Sequence, residues 1–341
     1  MSFSVTLSEK ILHFKQPAGT SRGVYTTRKI WLVHLSDGQR EGVGECAPLP
    51  DLSCDALSDD EYASILNKVC EDFCSSGEID YEALRDYPSM LFGLETALLN
   101  LQNGDRLFDT AFSRGETGIP INGLVWMGNH DEMLQRLEEK LEKGFRCIKL
   151  KIGAIDFDQE LDLIRRIRDR FSFHEVELRV DANGAFPYDE ALYKLELLSQ
   201  YNIHSIEQPI KAGQWAYMAD LCRESPLPIA LDEELIGVND PEMKRHLLNI
   251  IKPRYIILKP SLHGGMAGCR EWIETARDLG IGSWITSALE SNIGLNAIAQ
   301  FASSVYGDHI TMPQGLGTGQ LFTDNIPMPL EIRNDQLWLC R

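Results

Sequence analysis

The chain has 341 residues, 43% hydrophobic and 25% charged, with 51 acidic against 33 basic side chains. That is the composition of a soluble globular protein, and a formal charge of −18 repels polyanions, which excludes nucleic acid and anionic membrane as expected partners. No stretch has membrane-spanning length, "MSFSVTLSEK" lacks the regions of a signal peptide, and the eight cysteines are scattered without a CxxC, so reduced thiols in a cytoplasm are expected.

The N-terminal hundred-odd residues read as α+β. "TSRGVYTTRKIWLVHLSDGQREGVGECAPLP" alternates like antiparallel strands, with a turn at Ser36–Asp37–Gly38. Just before it, "QPAGTSRGVY" (16–25) reads either as a glycine-hinged lid offering Arg22 to a carboxylate or as an ordinary hairpin connection. A helical stretch follows from Asp59 to about Asn103, interrupted by Pro88. From about residue 118 the pattern becomes periodic. Eight short β-rich segments, "PINGLV", "RCIKLKIG", "VELRVDAN", "IHSIEQP", "LPIALDEE", "YIILKP", "GSWITSALE" and "HITMPQG", alternate with seven helical patterns. The first helix ends in Gly144, and the second, "DFDQELDLIRRIRDRF", runs from acids to arginines as a helix dipole prefers. The tail "MPLEIRNDQLWLCR" reads as a hairpin turning at Asn334–Asp335.

Strands alternating with helices imply a parallel sheet, and eight of them suggest closure into a barrel. An open doubly wound sheet is the alternative, but no GxGxxG follows a strand. The expected fold is therefore α/β: a modified (β/α)7β TIM-like barrel over residues 116–318, with an α+β capping domain from residues 1–115. The tail, residues 319–341, is expected to return to the cap.

Catalytic groups of such barrels stand at the C-terminal strand ends. Here those ends carry Lys149 and Lys151, then Asp181, Glu207, Asp232 and Lys259. From Lys151 the spacings are 30, 26, 25 and 27 residues, about one β/α unit each, so these residues should meet around the mouth. Three converging carboxylates repel one another; lysines can neutralise part of that charge, and a divalent cation does so better. An all-oxygen donor set suits Mg²⁺, with Mn²⁺ the alternative, rather than zinc. Asn183 and Glu233 lie one or two residues beyond the ligands, where supporting groups sit. A lysine beside a dication and another lysine has a lowered pKa and comes within range of proton abstraction. The reaction class this ring suggests is metal-assisted removal of a proton α to a carboxylate.

With "KLK", "DAN", "EQP", "DEE" and "LKP" on successive strands, and "GVGECAPLP" in the cap, the chain resembles the enolase superfamily in its muconate-lactonising-enzyme subgroup. The resemblance implies Mg²⁺ bound by Asp181, Glu207 and Asp232, Lys151 as the base, Lys149 as an auxiliary group, and Lys259 as a second acid/base or a cation on the opposite face. "SALESNIG" resembles the o-succinylbenzoate synthase family, which implies substrate contacts near Ser287 and Ser291, while "QGLGTGQ" lacks the acidic DxD of dipeptide epimerases. What this implies is a hydro-lyase acting on a small carboxylate in menaquinone biosynthesis. Its rivals are an N-succinylamino-acid (N-acylamino-acid) racemase using the same ring, a Schiff-base barrel, and a non-catalytic metabolite-binding barrel. Glu290 reads either as a partner of Lys259 from the adjacent strand or as an unrelated surface carboxylate. Oligomeric state is left open by the sequence.

Overall fold

The computed structural model describes residues 3–20 and 23–340. Its chain begins with three antiparallel strands, β1 (Ser4–Thr20), β2 (Gly23–Ser36) and β3 (Glu41–Cys46), in the order β1-β2-β3. Residues 16–25 form the distal end of the β1–β2 hairpin, with Ala18 opposite Tyr25, beyond a register shift between His13 and Ala18. The segment continues the hairpin on either side of residues 21 and 22; Arg22 lies outside the described residues.

Two helices cover the sheet. The first, α1 (Asp59–Ser76), starts where the Ser58 N–H donates to Glu61, and stops at Gly77, whose φ of +75° suits a left-handed C-cap. The second, α2, runs Pro88–Asn103. The helical stretch breaks ahead of Pro88, and Pro88 itself opens the second helix, because the first helical position has no N–H to lose. α2 packs unusually close to β3. A Cβ on Gly44 would stand 1.8 Å from the Gly93 carbonyl oxygen, so only glycine lets the two backbones touch.

After the short strand β4 (Ile119–Pro120), seven parallel strands form one curled sheet: β5 (Gly123–Val125), β6 (Cys147–Lys151), β7 (Glu177–Asp181), β8 (Ser205–Glu207), β9 (Ile229–Leu231), β10 (Tyr255–Leu258) and β11 (Gly282–Ile285), neighbours in chain order. Helices α3 (His130–Glu142), α4 (Phe157–Arg170), α5 (Tyr188–Ser199), α6 (Trp215–Glu224), α7 (Pro241–Ile251) and α8 (Gly265–Asp278) separate successive strands, and α9 (Asn292–Tyr306) follows β11. Their ends carry local signals: Asn129 and Glu132 form a reciprocal capping box on α3, and Asp240 caps α7 just before Pro241. On β6, Ile148 and Leu150, with Ile152 just beyond, are fully buried in one core with Leu163, Ile164 and Ile167 of α4. The lysines therefore face the barrel interior, as strand alternation requires.

The eighth strand is shorter than the sequence pattern suggests. "HITMPQG" forms only isolated bridges, Gln314 to Ile121 and Gly315 to Thr286, which join the two edges of the sheet and close the barrel. Only part of the tail lies against the cap. Its hairpin, β12 (Leu330–Arg333) and β13 (Gln336–Leu339), turns at Asn334–Asp335 as read, but β13 pairs with β4 instead of the capping sheet. Contact with the cap comes earlier: Phe14 bridges Phe322, and His13 meets Asp324.

Candidate active site

Register places the site. Lys151 is the partner of Asp181, and Asp181 of Glu207, so three charged residues lie side by side across β6, β7 and β8. Glu207 pairs with Ala230, which sets Asp232 just past the end of β9. Lys259 follows β10 directly. All line one cavity of about 520 Å³ at the C-terminal ends of the strands. The capping sheet and its following loop lend it Gln16, Tyr25, Leu49 and Leu52.

Inside, ammonium groups thread the carboxylates. Lys149 Nζ lies 2.9 Å from Asp181 Oδ2 and 2.5 Å from Glu207 Oε2. Lys151 Nζ lies 3.2 Å from Asp181 Oδ2 and donates to Asn183 Oδ1 at 2.7 Å. Lys259 donates to Asp232 Oδ2. Asn183, held at a φ of +45°, passes the chain of bonds on to Glu233 Oε1 at 3.0 Å. Asn183 and Glu233 themselves line the cavity, beside the charged ring.

Electrostatics follow from this crowding. Burial opposes the Asp181 anion, but Lys149 and Lys151 outweigh it and hold the carboxyl below its usual range. Burial likewise opposes Asp232, yet Lys259 and its other neighbours pull it down to about 2. Glu207 goes the other way, raised well above its ordinary value by burial and by Asp181 and Asp232. Burial favours neutral Lys149 and Lys259, but the surrounding carboxylates win and raise both. The lowering expected from the sequence belongs to a lysine beside a dication; the direct ion pairs act in the opposite direction on Lys149 and Lys259.

A metal fits the donor set by one test. Glu207 Oε1 and Asp232 Oδ1 are buried carboxylate oxygens without a hydrogen-bond partner, which a protein rarely leaves uncompensated. Among the described residues no three acidic, His or Cys side chains stand at the spacing of a complete ligand set, since ammonium groups fill the space between them. Asp181, Glu207 and Asp232 are the residues that would hold an ion.

The remaining expectations divide. Ser287 lines the cavity, its hydroxyl 2.6 Å from that of Thr318. Ser291 is instead the buried N-cap of α9, its hydroxyl and N–H given to Glu45. Glu290 does not pair with Lys259: it accepts from the Ser261 hydroxyl and the Ala288 N–H, while Lys259 takes the nearer Asp232. Two supporting residues escaped the sequence reading. Gln208, wholly buried at a φ of +41°, accepts the N–H groups of Asp232 and Glu234 and so ties the ends of β8 and β9. His263 Nδ1 accepts the Lys259 N–H at 2.8 Å. The signal for Gln208 was the polar residue inside an otherwise buried strand end; His263 had none.

A capped barrel whose strand ends set three carboxylates among three lysines has the architecture of the enolase superfamily. A family profile described as "Enolase C-terminal domain-like" matches residues 132–339, and one described as "MenC, N-terminal domain" matches residues 19–101. An o-succinylbenzoate synthase from Desulfotalea psychrophila is 46% identical over 94% of this chain and 95% of its own. The crystal structure of MenC from the same organism superposes with a TM-score of 0.82 at 41% identity, covering 99% of this chain and all of that one. The muconate lactonizing enzyme of Pseudomonas fluorescens, complexed with muconolactone, shares the fold at 23% identity, with a TM-score of 0.80 over 98% and 93% of the two chains. This chain belongs to the o-succinylbenzoate synthase family of the enolase superfamily, whose enzymes use a divalent metal.

Proposed function

We propose that this chain removes water from 2-succinyl-6-hydroxy-2,4-cyclohexadiene-1-carboxylate to give o-succinylbenzoate, with Mg²⁺, in cytoplasmic menaquinone biosynthesis. The observation that carries the reading is the entry of Lys151 and Lys259 into one cavity from β6 and β10, either side of the carboxylate strands β7–β9. The 46% identical relative supports the same substrate. A small carboxylate suits this lysine-rich mouth on a chain of net charge −18, and neither nucleic acid nor membrane is a partner.

The proton α to the carboxylate is too weakly acidic to leave unaided. Lys151, as the free amine, takes it, and the C–H electron pair moves into the carboxylate. Asp181, Glu207 and Asp232 would hold Mg²⁺, which when bound would supply positive charge where that density accumulates. Lys151, now an ammonium, returns the proton to the hydroxyl on the neighbouring carbon. The C–O bond breaks with its electron pair leaving on water, and the ring becomes aromatic. Both proton transfers occur on one face, so one residue serves as base and then acid. Asn183, 2.7 Å from Lys151 Nζ, holds that ammonium in place. Lys149, between Asp181 and Glu207, acts as an auxiliary charge. Lys259 presents a cation to the opposite face of the ring, and Ser287 with Thr318 offers hydroxyls to the succinyl carboxylate. Leu49, Leu52 and Leu289 wall the cavity against water.

Incubating the protein and Mg²⁺ with the cyclohexadiene carboxylate should abolish the diene's ultraviolet band far faster than buffer alone. A rate no greater than the uncatalysed one refutes this reading.

A further inference from the structure

We propose that Arg28 is a positioning residue: it clamps the capping sheet to the end of the seventh barrel strand and thereby sets the apolar wall that grips the substrate. The inference rests on the function proposed above and names a residue that acts through others.

Arg28 occupies the middle of β2 and is 3% exposed, an expensive place for a charge. Its guanidinium spends its donors on backbone carbonyls of two segments far apart in sequence. Nη1 donates to Pro48 and Nη2 to Ala47 at 2.5 Å, both in the loop after β3. Nε reaches Leu289 at 3.4 Å and Nη2 also reaches Ala288 at 3.5 Å, past the end of β11. Glu45 and Glu290 stand near enough to balance its charge.

What lies beside those carbonyls is the cavity. Leu49, one residue after Pro48, lines it, and so do Ala288 and Leu289. Leu289 sits at a φ of +66°, which a branched side chain adopts only when its surroundings impose it. The imposition comes from two sides: Arg28 holds the carbonyls of residues 288 and 289, and Glu290 accepts the Ala288 N–H at 2.6 Å. One planar fork thus dictates the separation between Leu49 on the cap and Leu289 on the barrel. A lysine keeps the charge but not the diverging donors, so it cannot hold both segments.

These apolar walls touch the substrate before and during reaction alike, so loosening them should weaken uniform binding and leave the chemical step alone. Arg28→Lys should raise KM about tenfold with kcat within about threefold of wild type. Arg28→Ala should show the same split more strongly, and guanidinium ion, below denaturing concentrations, should lower its KM again by filling the vacated slot. An unchanged KM in Arg28→Lys overturns the proposal, as does a fall in kcat at constant KM. Recovery of thermal stability with guanidinium but not of KM shows a merely structural residue and also overturns it. If Arg28→Ala does not fold, Arg28→Lys decides alone. A wild-type protein that does not turn over the substrate refutes the functional reading itself; normal wild-type turnover with an unmoved KM in the variant refutes only the clamp.

Discussion

Lys149 and Lys151 both reach Asp181, yet their surroundings divide the labour. Lys149 is pinned by two carboxylates at 2.9 and 2.5 Å, which stabilises its ammonium form, whereas Lys151 has one carboxylate oxygen at 3.2 Å and a neutral amide. Lys151, which reaches the cavity with fewer anionic partners than Lys149, is the group the proposed mechanism uses as base. Lys151→Ala should therefore lower kcat by about 10²–10⁴-fold or more while the rise in melting temperature on adding Mg²⁺ persists. An equal loss of both would make Lys151 a structural counterion. Lys259→Arg keeps a cation on the far face and should retain part of the dehydration, but it should abolish any racemisation of an N-succinylamino acid, which needs a proton delivered there. Retained racemisation would count against Lys259 as the opposite-face group. The polar side chains of this ring were legible in the sequence because the β/α period spaces them evenly. Glu290 was misread because adjacent strands do not make adjacent side chains: its carboxylate turns back onto Ala288, in its own loop. Ser291 was misread because a helix N-cap and a substrate-binding serine have the same residue type.

At the scale of elements, the cap docks through buried carboxylates placed on barrel helices. Glu95 of α2 accepts the N–H groups of Met266 and Ala267 at the start of α8, and Glu45 of β3 accepts those of Ser291 and Gly294 at the start of α9. Helix N-termini favour such anions, but burial prevails and pushes both carboxyls up to about 7. A raised carboxyl binds its proton more tightly folded than unfolded. Its stabilisation is full below about pH 4.5 and is lost as pH rises to about 7, on the order of 3 kcal/mol for each. Glu95→Gln should flatten that decline when urea unfolding is compared across this range; an unaltered slope would show that Glu95 titrates as an ordinary carboxylate. Gly44→Ala tests the other contact. Its methyl would stand 1.8 Å from the Gly93 carbonyl, so roughly 3 kcal/mol of destabilisation is expected in the same assay. The helices and barrel strands were readable from their periodicity and caps. The eighth strand was not, because "HITMPQG" has β composition but pairs only at residues 314 and 315, and the placement of β13 beside β4 depends on long-range register that no local pattern encodes.

The whole molecule brings three carboxylates, interleaved with three ammonium groups, into a barrel mouth, and a divalent ion should meet the carboxylate oxygens left without a partner. Mg²⁺ at a hundred times its dissociation constant should stabilise the fold by about 2.7 kcal/mol, and EDTA should remove both that increment and turnover. An unchanged melting temperature with and without Mg²⁺ would argue against Asp181, Glu207 and Asp232 as its ligands. The seam of the barrel has a consequence of another kind, for synthesis on the ribosome. The first barrel segment, around Ile121, waits for Gln314 to close the ring, and β4 waits for β13. Until those late residues emerge, a nascent chain carries a sheet with two open edges and a β1 hairpin whose Phe14 has no Phe322 to meet. Such edges recruit other strands, so a ribosome-stalled chain ending before residue 314 should bind chaperones more than the full chain does, a cost of placing both halves of the seam so far apart.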